Sequence, residues 1–545
     1  MEMRASDCMK SFSCAQLFKT LSLSACLAFG FSFASHAQMQ SSQNYQIAVQ
    51  KVPDEIYGKR IVGQSFLNEL YQSLGGKLLW QSEAARAELR EAIKNSWKDG
   101  LKPADFHQNI IEQPAGTLSP LEEDIIYSDA FARLLYQLQN GKTNPETLDQ
   151  DWNYNRLVDD PKAVSYVAEA LKNGDITGFI NTARPKDDVL NRLSQALQTY
   201  QAYVETGGWG KVASGKAMKP GETHNRIGRV RVRLAATEGY NPNQLSESKL
   251  YDEDLKIAVQ AFQHKHGLEA DGVIGKGTIK AMNVSAQERV DQIRVNMERA
   301  RWIGKALEDK DDMVIVNIAS YELLLIQNGE MSWRSDVIVG KDYRKTPVFT
   351  GKMQYVEMNP TWTIPPGILR RDILPRFRKD ANYLVNKGYN LYDRSGGLVD
   401  STQIDWKSLN GRFPYTIVQP PGEKNALGRI KFIFPNKHSV YLHDTPSRSL
   451  FNKSARAFSS GCIRVKDPTK FAEFVLRDNQ GWDKEKIENV LASKKQTRVN
   501  LTDRLDTAIL YWTVDAISPD GVRFYEDIYD RDGKVLEALN APFNP

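Results

Sequence analysis

Once its leader is removed, this chain keeps a single cysteine. The four cysteines are Cys8, Cys14, Cys26 and Cys462. Arg4, Lys10 and Lys19 precede an apolar stretch from Thr20 to Ala34, and Ser35-His36-Ala37 makes a small-x-small cleavage site before Gln38. Residues 1–37 therefore read as a secretory signal. The apolar stretch is shorter than the roughly 18 residues that span a bilayer, so no stable membrane insertion is expected after cleavage. Leu23-Ser24-Ala25-Cys26 resembles a lipoprotein box, but most of the apolar stretch follows Cys26 instead of preceding it. An exported chain normally leans on disulfides. This one has no second cysteine to pair, so buried cores must hold it. The material is present: 545 residues, 41% hydrophobic and 26% charged, or three to four domains at roughly 150 residues each. A net charge of +5 with no dense Lys/Arg run gives nucleic-acid binding little support.

The apolar spacing changes along the chain. Residues 38–215 carry amphipathic stretches at Glu83 to Trp97, Leu121 to Gln139 and Asp187 to Glu205, which predict a helical scaffold without evident chemistry. In residues 216–285, an early helix over Arg226 to Glu238 is followed by Leu255, Val259 and Phe262 at helical spacing. Gly267 stops that helix, and an Asp271-Gly272 turn leads into a helix from Lys276 to Met282. His264 and His266 stand two apart and do not share a helix face, so a metal site there is not expected. Val290, Ile293, Met297 and Ala300 predict a linker helix over 286–311. From 312 onwards strand-like alternation dominates. It is interrupted at 367–400, where Arg370, Arg371, Arg376, Arg378 and Lys379 predict a helical insertion, either a solvated excursion or a lid. Alternation over Ala508 to Val514 and Val522 to Ile528, split by Ser518-Pro519-Asp520-Gly521, predicts a closing hairpin within 501–545.

Cys462 lies in Ser459-Ser460-Gly461-Cys462-Ile463-Arg464-Val465. Small residues form a turn, the thiol follows, and a short strand begins at Ile463. Upstream, Lys437-His438-Ser439-Val440-Tyr441-Leu442-His443 alternates as a strand, which places Tyr441 and His443 on one face and His438 on the other. A buried structural cysteine is the bland alternative. A thiol beside an imidazole is the minimum nucleophilic constellation. Period two also puts Arg464 on the side of Cys462, where its fork suits a substrate carboxylate, and the amides around Gly461 and Cys462 suit an oxyanion.

His443-Asp444-Thr445-Pro446 followed by Ser459 to Val465 resembles the signature of the L,D-transpeptidases, the cysteine enzymes of peptidoglycan cross-linking with a YkuD-type catalytic domain. The resemblance extends through Val339 to Pro347, Asn359 to Pro366 and Asn425 to Ile430, and so covers most of residues 312–500. Many relatives carry His where Ser460 stands, which leaves His443 as the expected base. Residues 216–285 resemble the small three-helix peptidoglycan-binding domain, and 38–215 the helical scaffold of long proteobacterial members.

The resemblance implies a multidomain α+β protein with a mainly β catalytic domain over 312–545, a lid at 367–400, a three-helix binding domain and a helical scaffold. It implies Cys462 as nucleophile and His443 as general base and acid, with Gly461, Ser460, Arg464 and Tyr441 in oxyanion and substrate binding. The reaction it implies is attack on the bond between meso-diaminopimelate and the terminal D-alanine of a tetrapeptide stem. A thioester forms and a second stem resolves it into a 3→3 cross-link. Hydrolysis of the same bond, and attachment of a lipoprotein to the wall, use the same chemistry. No metal or organic cofactor is implied, the partners are donor and acceptor stems, the location is the periplasm, and carbapenems are implied inhibitors. Oligomeric state is not legible.

Overall fold

The computed structural model describes residues 51–543 apart from 115, 149–151, 154–162, 242–247, 308–309, 381, 406–412 and 518–520. The signal reading lies outside them. Among the described residues no helix is long and apolar enough to cross a membrane.

The N-terminal helices start where the sequence supplies a cap. Ser82 accepts from the Ala85 amide at the head of Glu83–Asn95, and Ser119 with Glu122 forms a capping box at the head of Pro120–Asn140, which satisfies amides that have no partner inside the helix. The longer helix runs through the middle of an apolar cluster from Val52 to Ile180. The binding module follows the expectation closely, with helices Ile227–Thr237, Glu253–Lys265 and Lys276–Met282 around Met218, Val230, Leu255, Val259, Phe262 and Met282.

The helix Ala286–Leu307 stands where a joining helix is expected and does more than join. Besides the apolar positions expected, Asn296, Glu298, Arg299 and Arg301 are buried. Asn296 Nδ2 donates to Thr513 Oγ1 at 2.8 Å, Arg299 pairs with Asp532 at 2.6 Å, and Glu298 Oε1 accepts from the Thr143 amide at 2.6 Å. Each contact ties the helix to a segment distant in sequence, so it serves as an axis rather than a tether.

The C-terminal half is built on strands β1 (Met313–Asn317), β2 (Glu322–Gln327), β3 (Glu330–Gly340), β4 (Val348–Met358), β5 (Ile430–Ile433), β6 (Leu442–His443), β7 (Ile463–Val465) and β8 (Thr497–Leu510). Their order is β5-β6-β7-β3-β2-β1-β8-β4, and β4 pairs with β5 to close the ring. Closure removes free edges. The interior holds Val314, Val316, Leu323, Leu325, Val337, Val356, Phe432, Leu442, Ile463 and Val465.

Three expectations are corrected. The strand predicted over 437–443 is a strand only at Leu442–His443. Before it, Asn436 Oδ1 accepts from the His438 and Val440 amides and Ser439 adopts φ +55°, so a side chain closes a turn in place of a ladder. The terminal hairpin is shorter than predicted. Ala508 belongs to β8, parallel to β1, the hairpin among the described residues pairs Val514–Asp515 with Arg523–Phe524, and a helix, Asp532–Asn540, follows. The insertion is mixed rather than helical. Short helical turns from Pro366 to Lys387 pack on a four-stranded antiparallel sheet of Trp362–Thr363, Asn390–Tyr392, Leu398–Val399 and Thr416–Gln419. This subdomain has its own core of Ile364, Ile373, Phe377, Leu384, Leu391 and Ile417.

Candidate active site

Two short strands create the site. β6 and β7 run parallel with Leu442 opposite Ile463 and His443 opposite Arg464, and Ile463 N donates to Tyr441 O at 3.1 Å. Leu442 and Ile463 are fully buried in the barrel. Strand alternation then sends Tyr441, His443, Cys462 and Arg464 to the opposite face. Cys462 stands beside Tyr441 and is the diagonal neighbour of His443.

His443 is 4% exposed, and its Nδ1 donates to the Asp444 carbonyl at 2.5 Å. That bond leaves Nε2 as the acceptor nitrogen. Burial, then the Arg464 charge, pushes its pKa down to about 3. Asp444 is buried too. Its carboxylate accepts from the Arg429 amide at 2.8 Å, the Thr445 amide at 2.6 Å and Arg448 at 2.6 Å. Gly428 packs on that carboxylate at φ +64°, where a Cβ would come within 2.3 Å of Asp444 Cγ. Asn425 holds the same loop through the Pro360 and Gln419 carbonyls. The Asn425 to Ile430 motif is therefore the mould for the histidine turn.

Cys462 is half-buried. Its Sγ points at the Ser439 carbonyl, 3.8 Å away, and forms no hydrogen bond with His443 among the described residues. Burial pushes the thiol above its ordinary range, against lowering by the Tyr441 amide and hydroxyl, Lys431 and Arg464. Gly461 adopts φ +113°. Its amide donates to Ser459 Oγ at 3.1 Å and its carbonyl accepts from Thr346 Oγ1 at 2.9 Å. The Cys462 amide has no such partner among the described residues. Arg464 is largely withdrawn from water, and burial pushes its pKa down. Its Nε has no hydrogen-bond partner and the side chain makes no ion pair among the described residues. The Ser460 hydroxyl is bonded by Arg344 at 2.8 Å. His438 packs its ring against Phe349, with centroids 5.4 Å apart.

Several neighbours were missed in the sequence. Lys431 stands opposite His443 across β5 and β6, with its ammonium 4.5 Å above the Tyr441 ring and 3.7 Å from Glu357. Its parity among buried Ile430 and Phe432 was the available signal. Tyr529 is 1% exposed, donates to Gly340 O at 2.6 Å and accepts from Thr346 N at 3.1 Å. It therefore braces the loop beneath Gly461 from far downstream, and no local pattern announces that.

Residues 311–500 match the family described as "L,D-transpeptidase catalytic domain", 65–197 a "Scaffold domain" and 223–282 a "Putative peptidoglycan binding domain". A Haemophilus influenzae protein named "Putative L,D-transpeptidase" is 37% identical over 245 residues, covering 45% of this chain and 48% of that one. The match thus spans about half the length of that relative. Among solved structures, the L,D-transpeptidases of Xylanimonas cellulosilytica and Stackebrandtia nassauensis each align with 55% of this chain. They cover 99% and 97% of their own, at 14% and 12% identity and TM-scores of 0.18 and 0.21, a likeness that carries no argument.

Proposed function

We propose that this chain, which carries a YkuD-type L,D-transpeptidase catalytic domain and a peptidoglycan-binding domain, is an exported, wall-associated enzyme that joins peptidoglycan stems through a Cys462 thioester. The observation that supports this best is Arg464. A guanidinium withdrawn from water without an acid is costly to keep, and on the same face as a thiol and a neutral imidazole it serves as the receptor for a substrate carboxylate.

In this reading the donor is a tetrapeptide stem. His443 Nε2 takes the thiol proton as Sγ attacks the carbonyl between meso-diaminopimelate and D-alanine, and the Cys462 amide meets the developing oxyanion. The C–N bond breaks, His443 returns the proton to the departing amine, and D-alanine leaves. The amine of a second stem then attacks the thioester and gives its proton to His443. The C–S bond breaks, the thiol is restored, and a 3→3 link results. The amide's energy is conserved in the thioester, so no cofactor is required. The same attack would open a carbapenem ring and leave one adduct on Cys462. Incubation of the purified protein with defined tetrapeptide stems, read by mass spectrometry, should give cross-linked dimers and free D-alanine. Tripeptide without dimer would make it a hydrolase, and neither product would overturn the assignment.

A further inference from the structure

The lid subdomain touches the site on two flanks. On one, Trp362, at its entry, neighbours the Tyr441 hydroxyl, which itself faces Cys462. On the other stands Arg344, in the loop between β3 and β4. Its NH1 and NH2 grip the Asp372 carboxylate at 2.6 and 2.9 Å, and the same NH1 donates to Ser460 Oγ at 2.8 Å. Asp372 belongs to Leu369–Ile373, a single turn of π-helix in the lid, and such turns interrupt helices mainly where function requires it. Ser460 is two residues before the nucleophile. The bidentate fork fixes direction as well as distance, and Arg344 retains only 12% side-chain exposure.

We propose that Arg344 is a positioning residue that seats the lid and the Cys462 loop together, because one guanidinium holds Asp372 of the lid and Ser460 of the loop at once. The inference rests on the proposed reaction only for the chemistry that is lost when the seat loosens. When Asp372 lets go, the lid swings from the thiol and Ser460 loses the group that orients it. Exposed Arg370, Arg371 and Arg376 flank Asp372 without entering the fork, so the contact is specific to Arg344.

The test is the labelling rate of Cys462 by a bulky maleimide, read on the peptide that contains it, in the full chain. A partly exposed ion pair of this kind is worth up to about fivefold in an equilibrium. Arg344→Ala and Asp372→Ala should each raise the rate roughly two- to fivefold, the double variant should go no further, and Arg344→Asp combined with Asp372→Arg should return it toward wild type. With soluble stems, Arg344→Ala should lower kcat and leave the donor KM nearly unchanged. Labelling rates that match wild type in both single variants, or that multiply in the double variant, would overturn the latch. Labelling that responds as expected in a protein that turns over no stem would keep the latch and dismiss the proposed reaction instead. Unchanged thermal unfolding in the single variants separates seating from general damage, and a large loss there moves the test to the charge-reversed pair, whose failure to recover would overturn it.

Discussion

Burial holds Cys462 and His443 neutral, and this decides how the proposed pair would work. The imidazole is pushed down to about 3 and the thiol upward, so at neutral pH the site rests as thiol and free base, not as thiolate and imidazolium. Alkylation of Cys462 by iodoacetamide should therefore keep rising with pH beyond the usual thiol range near 8.5, with no step near 6.5. His443→Ala should leave that profile within about twofold while transfer falls by roughly 10²- to 10⁴-fold, the worth of a general base. A reactivity plateau below pH 7 that vanishes in His443→Ala would show an ion pair instead. The pattern of the sequence carried the constellation this far: Tyr441, His443, Cys462 and Arg464 do share one face, because parity along a strand is a local property. Arg344 and Tyr529 were not legible because their relevance arises from loop contact between distant segments, and Lys431 offered only its parity, since the strand opposite it is not a local property.

The elements divide along the same line. Helices were readable to within a residue or two, as with Asp187 to Glu205, which forms Asp188–Glu205 behind an Asp187 side chain that accepts from the Val189 amide. Strands were not, because alternation says that a segment is half-buried without naming its partner. Thus Ala508 joined β8, and the arginine-rich insertion concealed Asn390–Tyr392 and Leu398–Val399, joined by a turn that Asp393 closes on the Ser395 and Gly397 amides. The insertion has a core of its own, and its sheet runs from Trp362 to Gln419. Phe377 is 1% exposed at its centre. Phe377→Ala should cost about 3–5 kcal/mol of the subdomain's stability, the usual cost of emptying a buried phenylalanine site. The loss should appear as faster hydrogen exchange over 362–419 with unchanged protection in β1 and β2. Equal loss in the barrel would mean that the subdomain and barrel unfold as one unit.

At the scale of the molecule, the binding module is docked, not tethered. Gly267 adopts φ +63° and lies so close to Tyr525 that a Cβ would come within 2.5 Å of its ring. The preceding His266 stacks on Phe262 at 3.9 Å and faces Phe524 at 5.7 Å, while Arg289 lies 4.6 Å over Phe524 and Lys280 pairs with Glu526. Composition and spacing predicted the module but not this seat, since the hairpin that receives it is more than two hundred residues downstream. His266 is held neutral, its pKa pushed well below the ordinary value by burial and next by the Arg289 charge, against the Phe262 carbonyl and with Arg233 and Lys265 adding to the depression. The sign follows directly. An undocked His266 takes up a proton below about pH 6.5 and the docked one does not, so docking is at full strength above that pH and weakens as the pH falls. One proton is worth about 1.4 kcal/mol per pH unit, or a tenfold change in the opening equilibrium. After correction for intrinsic rates, hydrogen exchange in Val514–Asp515 and Arg523–Phe524 should therefore accelerate by up to roughly tenfold per unit below pH 6.5. His266→Phe keeps the stack and removes the titration, so its exchange should be nearly flat over the same range. His107 and His443 are also held neutral by burial and contribute to acid sensitivity elsewhere, which makes the difference between wild type and variant the decisive quantity. If the two respond to pH alike, His266 does not govern the seat of the binding module.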